Sequence, residues 1–549
     1  MTSSAPARPA PRTLLPTLAG YRREWLTRDV VGGLSAGAVV VPQAMAYATI
    51  ANLPVQVGLY TCIVPMLVYA FLGRSQAMSV STTSTIATLT ATTLVTAGVA
   101  ASAEDPDAAL GALVTLTLLV GIVLLVARLL NLGSLVENIS AATVLGIKIG
   151  VGATVAVGQL PKLLGESGSV AGEGFVRSLI AVADSLDSVN GPTVALSAGS
   201  IVVLVVLQRF APRVPGTLIV VAAGILLAAF TGLTSLGVAL IDPVPSGFPV
   251  PRLPDLALVA DLAPGALAIA VMAFLESAAV ARGIRRATEP PIDSNRELFA
   301  TGAANVFGGF FTAMPAAGGF SQSAVNQAAG AKTQLSSIVT VALAVLVALF
   351  LGPVLSLLPE ATLAAMVFVA VAGLIDVPEL IRWARISPRD FWIALAVALI
   401  GLSAGLLAAV AVGVVLTLIL VLREVNIPRL RVIDRRGSAV TIHLGQGLYT
   451  GNALQNERAI VSLATQSADA TAVVLDVHRL DVVTVTVLDA LEDLDRELSQ
   501  LGIELHLARL PEHSATIARR MPWYAGLEKD GRTHDSVEDG LTAASRAPR

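Results

Sequence analysis

The stretch Gly318-Gly319-Phe320-Ser321-Gln322-Ser323-Ala324-Val325-Asn326 is polar and led by two glycines, yet it lies between two strongly apolar blocks. A second such tract, Ser79-Val80-Ser81-Thr82-Thr83-Ser84-Thr85, stands immediately before another apolar block much earlier in the chain. Glycine lets a backbone unwind, and serine and threonine are favoured helix N-caps. Each tract reads as the start of a short helix offering free N–H groups and a positive dipole end to an anion. A pair of interrupted segments, one in each half of a chain, points to a binding site at mid-membrane. The competing reading makes both tracts ordinary loops near the headgroups.

Around these tracts the chain is built for lipid. It has 549 residues, 54% hydrophobic and only 14% charged, with a mean hydropathy of +0.76. A soluble chain carries about twice that charged fraction. Apolar spans are expected at 30–50, 55–72, 82–100, 110–127, 139–158, 193–208, 217–238, 264–282, 297–312, 335–352, 361–375 and 391–422, the last long enough for two. Glycine and proline interrupt several of them, so hydropathy gives roughly eleven to fourteen segments.

Loop charges set the orientation. Arg74, Arg128, Arg209 with Arg213, then Arg282, Arg285, Arg286 and Arg296, then Arg382, Arg385 and Arg389 recur at every second loop. Glu104, Asp105 and Asp107, or Asp242, Asp255 and Asp261, occupy the alternate ones. By the positive-inside rule the arginine loops and both termini are cytoplasmic. Residues 1–20 read as a disordered tail and 21–424 as the membrane domain. Beyond Arg423 come strands at 440–444, 473–477 and 503–508, and an amphipathic helix at 487–501 capped by Gly502. These make a small α/β domain at 425–528, with 529–549 read as a flexible tail.

The sequence also excludes much. A net charge of −3 leaves no footprint for nucleic acid. Cys62 is the single cysteine, and the five histidines (His443, His478, His506, His513, His534) fall in the last quarter. The apolar part thus has no imidazole for a metal or a serine triad, and neither enzymatic chemistry nor a cofactor nor a metal is expected. Gly33-Leu34-Ser35-Ala36-Gly37 and Gly401-Leu402-Ser403-Ala404-Gly405 match a nucleophile-elbow pattern, but both lie inside apolar spans, where small residues pack helices. Gly330-Ala331-Lys332-Thr333 lacks the glycine spacing of a phosphate loop. With no nucleotide site, the energy source is a gradient. Two charges lie within spans, Lys148 and Glu276, each costing roughly 2.5–3.5 kcal/mol at a helix centre, so each faces a cavity or a partner.

Asp29-Val30-Val31-Gly32-Gly33-Leu34, Pro42-Gln43-Ala44-Met45-Ala46-Tyr47-Ala48, Leu53-Pro54 and Gly58-Leu59-Tyr60 closely resemble the opening of the sulfate permease (SulP) family, which includes animal carriers of sulfate, chloride, bicarbonate and oxalate. Asn295-Arg296-Glu297-Leu298, Gly302, Asn305, Pro315, Ser321 through Asn326, Gly330 and Thr333-Gln334 extend the resemblance through the second half. The resemblance implies an α-helical polytopic membrane protein of fourteen spans, in two inverted seven-helix repeats forming a core and a gate. The two tracts then open the third and tenth spans. It implies an anion pocket lined by Gln43, Tyr47, Thr83, Ser321 and Gln322, with Ser81, Thr82, Phe320 and Ser323 of the same tracts. The C-terminal part resembles a STAS domain, which implies regulation, a cytosolic partner and a homodimer.

Three departures stand out. Many members carry arginine where this chain has Gln322, so the fixed positive charge is missing there. Ser81-Thr82 replaces a frequent Gly-Pro, and Thr484-Val485-Thr486-Val487 lacks the acidic residue and glycine of a STAS phosphorylation motif. The expected function is secondary active transport of a small anion, sulfate or an oxyanion such as bicarbonate, across the plasma (inner) membrane by alternating access. Glu276 would couple it to protons or sodium, and Lys148 would supply the charge that Gln322 lacks. A C4-dicarboxylate symporter, a channel-like conductor and a non-transporting sensor acting through the STAS domain remain alternatives.

Overall fold

The structure, a computed structural model, describes residues 14–99, 106–133, 140–166, 175–185, 189–211, 214–244, 246–286, 289–466 and 470–546. Glu104, Asp105 and Arg213 of the loop-charge pattern lie outside them. The chain divides into two compact units, Met1–Thr417 and Leu418–Arg549.

The first seven spans are α1 (Leu26–Ile50), the broken pair α2 (Val55–Thr61) and α3 (Val64–Leu72), β1 (Val80–Ser81) with α4 (Ser84–Thr96), α5 (Pro106–Leu129), α6 (Ala141–Leu164), then, after the amphipathic α7 (Phe175–Ser185), α8 (Gly191–Phe210) and α9 (Gly216–Phe230). The second seven repeat the pattern. They are α10 (Val259–Gly283), α11 (Ser294–Phe310), β2 (Ala317–Gly318) with α12 (Phe320–Ala328), α13 (Leu335–Phe350), α14 (Glu360–Ala372), then, after the amphipathic α15 (Val377–Ile386), α16 (Pro388–Ser403) and α17 (Leu406–Asn426). In each half the third span is a two-residue strand plus a short helix, and an amphipathic helix follows the fifth. That correspondence is the inverted repeat.

Chain composition explains the breaks. Gly405, at a φ of +91°, parts α16 from α17 inside the block expected at 391–422. The block expected as one span at 217–238 ends at Phe230, followed by a 3-10 turn at Leu233–Leu236. The nine-residue α12 is too short and too polar for any hydropathy window to find.

Helices α1–α5 pack with α10–α13 as a core, while α6, α8, α9, α14, α16 and α17 pack together as a gate. Small residues allow the close crossings. A Cβ on Gly33 would lie 2.2 Å from the Ser336 carbonyl oxygen of α13, and one on Gly150 would lie 3.6 Å from Gly401. Both apparent nucleophile elbows are therefore helix-packing surfaces. Asp29 is fully buried because it ties α1 to the loop after α12, accepting the Thr333 hydroxyl at 2.7 Å and the Lys332 and Thr333 N–H groups.

Part of the expected N-terminal tail is instead docked on this unit. Leu15 N–H donates to the Phe71 carbonyl at 2.7 Å, and buried Thr17 accepts the Gln334 N–H. Residues 1–13 lie outside the described residues.

The second unit holds a sheet of β3 (Leu430–Arg436), β4 (Ala439–Leu444), β5 (Ala472–Asp476), β6 (Glu504–Ala508) and β7 (Thr533–His534) in that order. The β3–β4 pair is antiparallel and the others parallel. On one face the sheet packs against α18 (Ala453–Thr465), α19 (Val485–Gln500), α20 (Glu512–Ala518) and α21 (Pro522–Lys529). The stretch from 529 onward is not the expected loose tail. It supplies β7 and then α22 (Val537–Ala544), whose Leu541 and Ala544 cover Ala439, Ala472, Val474 and Ala508 on the opposite face. Without it that apolar face would be open to water.

At the carboxyl edge of this sheet Asp476 is fully buried. Burial pushes its carboxyl up, but the Arg509 and His443 hydrogen bonds and the Arg509 charge outweigh that and hold it at about 2.

Candidate functional site

The two polar tracts meet. β1 and β2 pair antiparallel, Val80 opposite Gly318 and Ser81 opposite Ala317. The crossing is pinned further by Gly319 N–H on the Ser79 carbonyl at 3.1 Å, Ser79 N–H on Ser323 Oγ at 2.9 Å, and Gly318 N–H on Ser277 Oγ at 2.9 Å. Helix α4 begins at Ser84 and α12 at Phe320, immediately beyond the paired strands. Two positive helix ends therefore open on one place.

A cavity of about 290 Å³ lies there. Gln43 and Tyr47 of α1, Thr82 and Thr83 of the first tract, and Phe320, Ser321 and Gln322 of the second all line it. So do Lys148 of α6 and Glu276 of α10, the two charged side chains of the wall. Ser81 and Ser323 do not. Both are fully buried behind the wall: Ser81 Oγ accepts from Gln322 Nε2 at 3.0 Å, and Ser323 Oγ is taken by Ser79. Successive residues of an extended segment point opposite ways, so Ser81 turns inward where Thr82 turns to the cavity.

Each lining group has a definite setting. Thr83 caps α4, its hydroxyl oxygen accepting Ile86 N–H at 3.3 Å while the hydroxyl donates to Glu276 Oε2 at 2.8 Å. Lys148 Nζ stands 5.6 Å from the centre of the Phe320 ring, a cation–π contact between a gate helix and a core helix. Gln322 folds back over Gly319, where an added Cβ would lie 1.9 Å from its Nε2. Thr82 and Thr217 line the cavity, and their shielded hydroxyls have no hydrogen-bond partner among the described residues. Shielded hydroxyls left unpaired suit a ligand that accepts hydrogen bonds.

The gate's share of the wall went unread in the sequence. Leu204 and Gln208 of α8, Thr217 of α9, Met366, Val369 and Ala370 of α14, and Gly373 and Leu374 just past its end complete the gate side of the cavity. An amide at the end of an apolar helix was the one available signal, at Gln208. A second cavity, of about 410 Å³, shares Gln43, Leu204, Gln208, Thr217 and Ser321 with the first and continues past Val39 and Ser35 to Ala328 and Ala329. It forms a passage from the site toward the N-terminal end of α1.

Comparison with known proteins agrees with this architecture. The family model described as the Sulfate permease family matches residues 26–397, and that of the STAS domain matches residues 431–539. A probable sulfate transporter of Mycobacterium tuberculosis is 33% identical over 514 residues, covering 90% of each chain. The murine Solute Carrier 26 family member A9 anion transporter, solved in an inward-facing state, superposes with a TM-score of 0.84 at 21% identity, over 99% of this chain and 96% of that one. The transmembrane domain of a cyanobacterium bicarbonate transporter gives a TM-score of 0.61 at 21% identity, over 73% of this chain and 98% of that one.

Proposed function

The chain belongs to the sulfate permease family and is a multi-pass membrane anion transporter; we propose that its substrate is sulfate, carried by alternating access and coupled to a proton or sodium ion at Glu276. One observation carries this reading: two helix starts, one ammonium group and unpaired hydroxyls converge on a single cavity between core and gate.

The charges balance for a divalent oxyanion. Each helix start carries roughly half an elementary charge, and with the Lys148 ammonium the wall offers about two positive charges. An ionised Glu276 removes one of these. At an effective dielectric of 20, two like charges 4 Å apart repel by about 4 kcal/mol, enough to oppose anion entry. A proton or sodium ion on Glu276 lifts that opposition. Sulfate then enters with its coupling ion and leaves with it.

The arginine-rich loops support an orientation in which the passage beyond Ser35 and Ala329 faces the cytoplasm, with both termini on that side, and on this reading the conformation is inward-open. The core then carries the anion past the gate to the other side. The relatives' names support sulfate, and the STAS domain supports a homodimer regulated from the cytosol.

The test is uptake of labelled sulfate into proteoliposomes, with unlabelled bicarbonate, chloride, oxalate and fumarate as competitors. It is run with and without inward proton and sodium gradients. Saturable sulfate uptake that rises with one gradient is expected. Accumulation of another anion of the panel without saturable sulfate uptake would reject the substrate, and gradient-independent sulfate uptake would reject the coupling.

A further inference from the structure

Away from the transport site, the carboxyl edge of the STAS sheet gathers four chemistry-bearing side chains, and strand register brings them together. His443 and Asp476 are direct partners across the parallel β4–β5 pair, so both project from one face. His478 lies two residues beyond Asp476, in the turn closed by Leu480 N–H on the Val477 carbonyl, and its own N–H points back to Asp476 Oδ1. Arg509 follows Ala508, the β6 partner of Asp476.

The geometry is that of a ligand set. His443 Nδ1 is 2.7 Å from Asp476 Oδ2, and His478 Nδ1 is 3.2 Å from Asp476 Oδ1. One ligand atom from each of the three residues lies within 4.8 Å of the others. The two imidazoles stack at 5.1 Å with 15° between their planes, both turning Nδ1 toward the same carboxylate. Ligand atoms on a tetrahedral zinc ion stand about 3.3–3.5 Å apart, and because the rings stack, at least one must rotate to bring its Nδ1 lone pair onto a shared ion. The carboxylate is fully buried while the rings are 21% and 34% exposed, which leaves an entry and an open position for water. Ligands of open α/β sheets bind beyond the carboxyl ends of the strands, as here.

We propose that His443, Asp476 and His478 form a binding site for a divalent first-row metal cation, zinc by preference, with Arg509 as a resident competitor for the same carboxylate. Two imidazoles and one carboxylate suit such ions far better than calcium or magnesium. Arg509 grips both Asp476 oxygens through Nε and Nη2, and its Nη2 also stands 3.2 Å from His478 Nδ1. Its backbone adopts a left-handed φ of +63°, uncommon for a residue with a side chain. The Arg509 side chain is 42% exposed and can swing into water when a metal arrives. The ion therefore exchanges with a positive charge already in place, and its affinity is lowered by the lost ion pair.

The experiment uses the full-length protein, purified without a polyhistidine tag and stripped with a chelator. Cobalt(II) is titrated in and followed by its ligand-field absorption, and zinc is then added as competitor. One equivalent of cobalt with tetrahedral absorption, displaced by zinc, is expected. The double variant His443→Gln, His478→Gln keeps amide donors for Asp476 but removes two ligands. It should lose at least the roughly 10–100-fold that even outer-sphere partners contribute. Arg509→Gln should bind more tightly than the parent. His506→Gln, which alters the other histidine pair of the domain, should bind as the parent does. Absence of stoichiometric cobalt binding would overturn the proposal. So would equal binding by the double variant with an unchanged elution profile, weaker binding by Arg509→Gln, or loss confined to His506→Gln.

Discussion

Replacing Lys148 by methionine removes the cavity's cation while keeping most of its volume. Among the described residues no other lysine or arginine lines that wall. A hydrogen bond to an ionised partner contributes about 1.5–3 kcal/mol. Against it stands the Phe320 contact at 5.6 Å, which the ammonium must loosen to reach an anion and which contributes about 0.5–1 kcal/mol. The difference, about 1–2 kcal/mol, corresponds to a roughly 5–30-fold rise in the KM for sulfate. The effect on a monovalent competitor such as chloride should be smaller, because its charge is half as large. Labelled uptake into proteoliposomes over a range of sulfate concentrations measures both. Adding Gln322→Arg to Lys148→Met returns a positive charge to the same cavity from the core side and should recover much of the affinity. A folded Lys148→Met protein with unchanged KM and rate would refute the reasoning. Failure of Gln322→Arg to rescue a real loss would refute the electrostatic part of it.

Three further outcomes follow from the same structure. Glu276→Gln keeps an oxygen for the Thr83 hydroxyl but cannot take up a proton or pair with sodium, so sulfate exchange should persist while gradient-driven accumulation disappears; accumulation with full gradient dependence would show that coupling lies elsewhere. Gly319→Ala puts a methyl group where Gln322 now lies, 1.9 Å from its Nε2, so Gln322 must leave Ser81, with an expected loss of about 0.5–1.5 kcal/mol in stability or anion affinity; unfolding midpoints and KM both equal to the parent's would count against it. In the STAS domain, burial lowers His506 and His534, which lie 3.0 Å apart between Nδ1 and Nε2, below the ordinary imidazole value. The unfolded chain therefore binds more protons than the folded one, and stability present above about pH 6.5 is lost as pH falls below it. Faster hydrogen exchange in β6 and β7 at pH 5.5 than at pH 7.5, corrected for the intrinsic rate and reduced in His506→Gln, is the expected signature.

Much of this was legible because lipid and helix ends impose simple rules on sequence. The paired tracts around Ser81 and Phe320 were readable, since serine, threonine and glycine between apolar blocks have few other uses. Glu276 and Lys148 were readable because a charge within a span must answer to something. What escaped was whatever depends on direction or on a distant partner. Ser81 and Ser323 belong to the right tracts, yet they point away from the cavity, and spacing in an irregular segment does not reveal that. Thr217 and the α14 residues are ordinary in their own helices and become site residues only through the packing of gate against core. The last strand and helix of the STAS domain were missed for a related reason. Thr533–His534 is too short to show a period, and α22 is apolar only where a sheet three segments away needs cover.

The placement of the cavity's positive charge has a mechanical consequence. An arginine at position 322 would ride on α12 with the core, travelling with the anion through the transport cycle. In this chain the charge is on α6, which packs with α14 and α16 in the gate, while Phe320, its aromatic partner, is on the core helix α12. In the alternating-access cycle proposed above, a charge on the gate would stay behind when the core moves. In that cycle attraction between Lys148 and the anion would vary with core–gate distance, whereas the two helix starts, tied by the β1–β2 pairing, would move together and hold it alike throughout. On this proposal the anion would be held most strongly where the core brings Phe320 to Lys148 and released more easily elsewhere. Moving one positive charge between the two bodies would then turn a binding residue into one that also sets where along the proposed cycle the anion is let go.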